Sequence, residues 1–154
     1  MEENSYEKLL NINTTGEELW SDKIAHYHPY QATLYQALDI LFEEYSIKES
    51  DYIVDFGCGK GRLNFYINYF FKANVVGVEM DERYYHDCLC NKENYLKKHK
   101  RSSNKIDFKC CFAQDYEINP LENKFYFFNP FSVQIFRKII DNILNSVYEN
   151  ERKI

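Results

Sequence analysis

The chain alternates short apolar runs with longer segments in which apolar residues return every three or four positions. The short runs predict strands, and the longer segments predict helices. Predicted strands cover residues 51–56, 75–78, 106–111 and 125–128, and predicted helices begin near residues 34, 63, 81 and 133. A further short helix is indicated by Tyr6, Leu9 and Leu10.

Two predicted helices have informative faces. The helix that follows the first strand is apolar almost all round, so other parts of the chain must cover it on more than one side. The last helix has the clearest apolar stripe in the sequence, which consists of Val133, Phe136, Ile140, Ile143, Leu144 and Val147.

Strands that alternate with helices predict an α/β fold, built from right-handed βαβ units into a parallel sheet with helices on both faces. Ligands of such sheets bind outside the carboxyl ends of the strands. Each predicted strand has a candidate group at that end: Gly57 to Gly61, Glu79, Asp115 and Asn129. We predict one domain over residues 1–154, with an N-terminal extension at 1–31, a ligand-binding core at 32–148 and a charged tail at 149–154.

Composition narrows the class of protein. Of 154 residues, 45% are hydrophobic, which is typical of a folded globular chain. The net charge of −5 disfavours a non-specific nucleic-acid binder, although a local basic patch remains compatible with it. Because no apolar run approaches about 20 residues, and the first residues lack the pattern of a signal peptide, we predict a cytoplasmic protein that does not enter a membrane.

The five cysteines are odd in number and lie in or beside predicted regular elements, which favours reduced thiols. Cys88, Cys90, Cys110 and Cys111 fit no common zinc spacing, so we predict no metal site. His26 and His28 are interpreted as loop residues, since nothing else in the sequence completes a catalytic constellation around them.

A glycine-rich turn joins the first strand to its helix, in the order Asp55-x-Gly57-x-Gly59-x-Gly61. Glycines there permit positive φ and allow a ligand to approach the backbone. A dinucleotide fingerprint requires its third glycine at position 62, where the chain has Arg62. Glu79, at the end of the second strand, is placed to accept hydrogen bonds from ribose hydroxyls. S-adenosylmethionine needs no phosphate cradle, so the residues favour this cofactor over NAD.

These segments resemble the class I S-adenosylmethionine-dependent methyltransferases, over roughly residues 30–148. Residues 55–61 are similar to the first motif of the family, and residues 76–81 to its second, in which the acidic residue holds the ribose. The resemblance implies a Rossmann-like sheet of order 3-2-1-4, with Asp115 against the adenine amino group. It further implies cofactor contacts from Asp55, Gly57, Cys58, Gly59, Gly61, Glu79, Met80, Ala113, Asp115 and Asn129, and contacts near the methionine end from Tyr30 and Thr33.

Asn129-Pro130-Phe131 occupies the place of the family's fourth motif, which makes Asn129 the candidate catalytic residue. Amino-group methyltransferases commonly have two consecutive prolines there, and this chain has one. The alternative is that Asn129-Pro130 only ends the strand and begins a turn. The methyl acceptor is therefore unspecified, and nucleic acid is possible but not supported by the net charge.

The family's sheet usually has seven strands, whereas this sequence stops after the helix that follows the fourth. We therefore interpret the chain as a fragment or a shortened relative. The strand at 125–128 is then expected to be an exposed aromatic edge, which predicts self-association. Two other functions stay open: an adenosyl-ligand-binding module without catalysis, and an NAD-dependent oxidoreductase.

Overall fold

A computed structural model describes residues 2–16, 31–100, 105–128 and 131–154 of the chain. Its helices are α1 (Glu3–Leu10), α2 (Tyr35–Glu44), α3 (Arg62–Phe71), α4 (Glu82–Lys98) and α5 (Val133–Glu149). Its strands are β1 (Tyr52–Phe56), β2 (Asn74–Glu79), β3 (Ile106–Cys110) and β4 (Lys124–Phe127), and a 3₁₀ turn spans Ala113–Asp115. The predicted strands and helices are all present, with bounds that differ by one or two residues.

The four strands form one parallel sheet in the order β3-β2-β1-β4. Asp55 is in register with Gly77 of β2 and with Tyr126 of β4. Glu79, the last residue of β2, is in register with Cys110. The predicted α/β fold and strand order are confirmed, and all four strands end at the same edge of the sheet.

Helices cover both faces of this sheet, as predicted. On one face, Ile53, Val75 and Phe108 pack with apolar residues of α1, α2, α3 and α4. On the other face, Val54 and Val78 pack with α5. Because successive strand residues point to opposite faces, β1 and β2 supply apolar side chains to both layers. The first layer includes Tyr6 and Leu10 of α1, so the N-terminal helix is part of the main core.

The buried face of α5 differs from the stripe that is clearest in the sequence. Its buried residues are Ile135, Ile139 and Ile143, whereas Val133 and Leu144 are 62% and 55% exposed. Apolar residues lie on both sides of the stripe, so helical periodicity alone does not decide which line of residues faces the sheet. The residues that pack against the sheet are the three isoleucines, which are spaced every four residues.

Local signals set the starts of two helices. Asp81 caps α4, because its Oδ1 accepts a hydrogen bond from the backbone N–H of Arg83 at 2.9 Å. Helix α3 begins directly after Gly61, whose φ is +84°. The glycine turn therefore leads directly into α3, with no residue between Gly61 and the helix.

In the described part of the chain, no helix combines the length and the apolar character that crossing a membrane requires. All five cysteines are free thiols, and Cys58 and Cys88 are buried. Tyr30 and Asn129, together with His26 and His28, lie outside the described residues. Their predicted roles stay predictions.

Candidate functional site

The glycine turn lies at the carboxyl end of β1 and is fastened to the end of β2. Gly57, Gly59 and Gly61 all have positive φ, at +78°, +55° and +84°. The backbone N–H groups of Gly57 and Cys58 donate to the carbonyl oxygen of Val78 at 2.9 and 3.1 Å. Any other residue type would be strained at these three positions, which explains why all three are glycine.

Close packing beneath the turn adds a second reason for glycine. A Cβ on Gly61 would lie 2.9 Å from the ring of Phe108. A Cβ on Gly77, the β2 residue that pairs with Asp55, would lie 2.6 Å from the same ring and 2.7 Å from Cys58 Sγ. Gly61 and Gly77 therefore pack closely against the phenyl ring of Phe108.

Glu79 links the glycine turn to the start of α4. Its Oε2 accepts a hydrogen bond from the N–H of Gly59 at 2.9 Å, and its Oε1 accepts one from the N–H of Asp81 at 2.9 Å. Burial raises the pKa of Glu79, and these backbone donors oppose that rise. A carboxylate has about four acceptor positions, so lone pairs remain for a ligand hydroxyl.

Asp55 is a second buried carboxyl group at this edge, with 4% of its surface exposed. Burial, and then the negative charge of Glu79, raise the pKa of Asp55 to about 8. With its amide nitrogen turned toward Asp55, Asn64 donates to Oδ2 at 3.0 Å and accepts from the N–H of Gly77 at 3.2 Å. Burial and the nearby charge of Glu79 thus favour the protonated form of Asp55, beside a donor that is fixed by the sheet.

Two buried side chains of α4 hold the turn through hydrogen bonds, and neither was predicted to be a site residue. The thiol of Cys88 donates to the carbonyl of Gly59 at 2.9 Å. The amide nitrogen of Asn91 donates to the carbonyls of Lys60, at 3.1 Å, and of Asn13, at 3.0 Å. The segment that follows α1 is thereby joined to the glycine turn.

Arg62 makes several hydrogen bonds near the turn. From the sequence, its only predicted significance was that it does not fit a dinucleotide fingerprint. It is 6% exposed. Its Nε donates to Thr14 Oγ1 at 2.7 Å, and its Nη1 donates to Glu3 Oε2 at 2.7 Å and to the carbonyl of Thr33 at 3.1 Å. The one sequence feature that could have indicated the role of Arg62 is its position as the first residue of an apolar helix.

Thr33 was predicted to lie at the site, and the structure places it against β4. Its hydroxyl is 3.1 Å from the hydroxyl of Tyr126. Tyr126 is the β4 neighbour of Asp55, and burial raises the pKa of its hydroxyl. Thr33, Tyr126 and Asp55 therefore form the polar group on the β4 side of the turn, in which Tyr126 is a residue that sequence reasoning missed.

The opposite side of the turn is formed by the residues that follow β2 and β3. Met80 is half-buried, Ala113 is buried and Asp115 is exposed on the 3₁₀ turn. The backbone N–H of Cys111 donates to the carbonyl of Glu79 at 3.1 Å, which holds the end of β3 beside β2. Asp115 also lines an open cavity of about 650 Å³ over the α5-side face of β3, together with Cys111, Tyr116 and Glu122.

The structure thus brings Asp55, the glycine turn and Glu79 into one connected group, with Thr33 on one side and Ala113 to Asp115 on the other. Among residues 2–16, 31–100, 105–128 and 131–154, no group of three or more histidine, cysteine or acidic side chains is arranged to hold a metal ion. The arrangement suits an elongated, uncharged or cationic ligand that lies across the strand ends and bears hydroxyl groups near Glu79.

Known proteins resemble this chain in sequence and in fold. The sequence profile of the family described as "Methyltransferase domain" matches residues 31–119, which is more than half of the chain. An RNA methyltransferase from Salinibacter ruber, solved in complex with S-adenosyl-L-homocysteine, is similar in structure, with 17% identity and a TM-score of 0.54. That alignment covers 78% of this chain and 71% of the other.

A second solved structure is geranyl diphosphate C-methyltransferase from Streptomyces coelicolor A3(2) in complex with Mg²⁺, geranyl diphosphate and S-adenosyl-L-homocysteine. It aligns with 17% identity and a TM-score of 0.48, over 60% of this chain and 34% of that one. The chain therefore spans about a third of that enzyme's length. No curated protein sequence matches the chain significantly.

Proposed function

Because the chain belongs to the methyltransferase domain family, we propose that it binds S-adenosylmethionine at the glycine turn and transfers the methyl group to an acceptor. The observation that carries this proposal is the bond between Glu79 and the N–H of Gly59. It places a buried carboxylate directly beside a turn of three positive-φ glycines. A ribose with two hydroxyl groups matches the remaining acceptor positions of Glu79.

In this proposal the adenosine half lies toward β2 and β3. Glu79 accepts from the ribose hydroxyls, and Met80 and Ala113 offer apolar contact to the adenine. Asp115 is the proposed acceptor for the adenine amino group, since it is the acidic side chain on the turn that follows β3. Asn129 keeps its predicted role beside the methyl acceptor, and lies outside the described residues.

S-adenosylmethionine supplies a methyl carbon that the sulfonium already activates. The protein's contribution is then mainly to hold acceptor and cofactor in line, which restricts their motion before reaction. The glycines allow the cofactor to approach the backbone closely, and α3 and Phe108 hold the turn rigid beneath it. A general base is needed only where the acceptor must lose a proton.

Calorimetry tests the binding part of the proposal. The wild-type protein is titrated with S-adenosylhomocysteine and, separately, with NAD. We expect binding of S-adenosylhomocysteine and none of NAD. Glu79→Ala should weaken the binding by roughly 1 to 3 kcal/mol, the usual contribution of a charged hydrogen-bond partner.

Glu93→Ala is the matched control, because Glu93 is an exposed glutamate on α4. It should bind S-adenosylhomocysteine as the wild type does. Thermal denaturation of both variants establishes that the loss is not a loss of fold, since Glu79 also holds the turn itself. Binding of NAD alone would contradict the proposal.

The transfer step needs a separate assay. Purified protein is incubated with radiolabelled S-adenosylmethionine and pools of RNA, proteins or small amines, and transferred label is counted. Label that appears in one pool and is lost in Glu79→Ala supports a methyltransferase and names the class of acceptor. Binding of the cofactor without transfer to any pool would favour an adenosyl-ligand-binding module.

A further inference from the structure

Arg62 is a buried cation that holds two parts of the chain together beside the glycine turn. Its guanidinium lies 4.4 Å from the centre of the Tyr35 ring, and Nη2 lies 3.5 Å from Glu7 Oε1. With the bonds to Thr14, Glu3 and Thr33, one side chain contacts α1, the segment after α1 and the segment before α2. Arg62 itself immediately follows Gly61, the last glycine of the turn.

The carboxylates around Arg62 have further hydrogen-bond partners within the chain. Glu7 accepts hydrogen bonds from the N–H of Thr14, at 2.7 Å, and from the hydroxyl of Tyr35, at 2.7 Å. Glu3 Oε1 accepts from the N–H of Tyr35 at 2.7 Å. A buried charge network of this kind is costly unless every member is paired, so each member fixes the geometry of the others.

One consequence concerns Thr33. Its carbonyl accepts from Arg62, while its hydroxyl meets Tyr126 on β4. The main chain at Thr33 is therefore held from the α3 side by Arg62 and from the sheet by Tyr126. Without Arg62, Thr33 would lose the polar partner that sets its distance from the glycine turn.

The order of the strands decides which part of the ligand meets Thr33. The sheet runs β3-β2-β1-β4, and Glu79 belongs to β2. A ligand whose ribose lies at Glu79 and whose base points toward β3 must extend in the other direction past β1 to β4. That end of S-adenosylmethionine carries an α-amino and an α-carboxylate group, which suit the hydroxyls of Thr33 and Tyr126 and the carboxyl of Asp55.

We propose that Arg62 is a positioning residue, which holds Thr33 against Tyr126 and thereby sets the affinity for the amino-acid end of the cofactor. The inference rests on the proposed function, because it takes S-adenosylmethionine as the ligand. Arg62 does not touch the ligand in this proposal. Its effect passes through Thr33.

The test separates the two ends of the ligand. Calorimetry is done with S-adenosylhomocysteine, which has the amino-acid end, and with 5′-methylthioadenosine, which has the adenosine half alone. Arg62→Lys retains the charge but has one ammonium group in place of the planar fork. We expect it to lower the affinity for S-adenosylhomocysteine about tenfold or more, which corresponds to about 1.4 kcal/mol or more. The affinity for 5′-methylthioadenosine should fall by no more than about twofold, because that ligand lacks the amino-acid end.

Two further variants leave the charged side chains and the Thr33 carbonyl unchanged. Tyr126→Phe removes one hydroxyl and keeps the ring, and Thr33→Val removes the other. Each should weaken S-adenosylhomocysteine about three- to tenfold while 5′-methylthioadenosine binds as before, which corresponds to one ordinary hydrogen bond. Arg137→Lys, at an exposed position of α5, is the matched control and should change neither affinity.

Each outcome bears on a different statement. If Arg62→Lys weakens both ligands in parallel, or neither, the positioning role is wrong while the proposed function stands. If the wild type binds neither ligand, the proposed function itself fails. Should Arg62→Lys not fold, Glu3→Ala replaces it, because it loosens Nη1 and leaves Arg62 in place; a selective loss of S-adenosylhomocysteine then supports the role, and a parallel or absent loss overturns it.

Discussion

Asp55 has a pKa near 8 in the folded protein, far above the ordinary value of 3.8, because the sheet buries it and Glu79 lies near. Between those two values the native state holds a proton that the unfolded chain has released. The free energy of unfolding therefore falls as pH rises from about 4 to 8. We expect Asp55→Asn, which keeps the acceptor for Asn64 without a titrating group, to remove that fall.

Urea denaturation at pH 5, 6, 7 and 8 measures the effect. The difference in stability between Asp55→Asn and the wild type should grow with pH in favour of the variant, by up to about 1.4 kcal/mol per pH unit. Other titrating groups contribute nearly equally to both proteins and cancel in the difference. A difference that stays constant across the range would mean that Asp55 is ionised in the native protein.

Gly77 is expected to be intolerant of any side chain, although it lies in a strand where most residues are acceptable. The added Cβ of Gly77→Ala would meet the ring of Phe108 at 2.6 Å and Cys58 Sγ at 2.7 Å. Overpacking of this kind costs typically 1–3 kcal/mol. Phe108→Leu in the same chain should return part of that loss, and a double-mutant cycle of thermal melts tests the coupling. Strictly additive effects would contradict the contact.

At the residue scale, the sequence was sufficient for the parts of the site that depend on local rules. Glycines that need positive φ, and an acid at a strand end, are recognisable from their neighbours in the chain. Asn64 was not, because the sheet brings its partners Asp55 and Gly77 together. Arg62 and Asn91 were not, because what gives each its role is a partner far away in sequence. Thr14 is 48 residues from Arg62, and Asn13 is 78 residues from Asn91.

At the scale of single elements, α5 has two rows of apolar residues, and only one of them packs against the sheet. We expect Ile139→Ala to destabilise the protein by about 2–5 kcal/mol, because Ile139 is fully buried against the sheet. Leu144→Ala is the matched comparison on the exposed line, where the change should stay within about 0.5 kcal/mol. Denaturant unfolding of both variants is the measurement, and equal losses would contradict the assignment of faces.

Element existence and order were predictable because each strand is a compact apolar run bounded by turn residues, and because parallel βαβ units admit few topologies. The buried face of α5 was not predictable, because packing against the sheet decides which apolar residues of the helix are buried. The same limit applies to α1. Tyr6 and Leu10 indicated only a short helix in the N-terminal extension, and their place in the core depends on contacts with α2 and α3.

At the scale of the whole molecule, the sheet of the described residues has two edge strands, β3 and β4. Strand β4 pairs with β1, and no described strand lies on its other side. Phe128, directly after β4, is 46% exposed, and Val133 and Leu144 are exposed on α5, the helix that packs on the sheet face of Phe125 and Phe127. An edge strand flanked by apolar side chains favours pairing with another chain.

We therefore expect the isolated 154-residue chain to self-associate through this side. Light scattering after size-exclusion chromatography should give a mass that rises with protein concentration. Val133→Lys combined with Leu144→Lys should hold the mass at 18.6 kDa, because a charge on an exposed apolar surface opposes the burial of that surface against another chain. Leu89→Lys, on α4, is the control, since Leu89 is also exposed but lies on the helix that packs against β2 and β3. A wild-type mass of one chain at every concentration would contradict the expectation, and equal effects of both lysine variants would place the contact elsewhere.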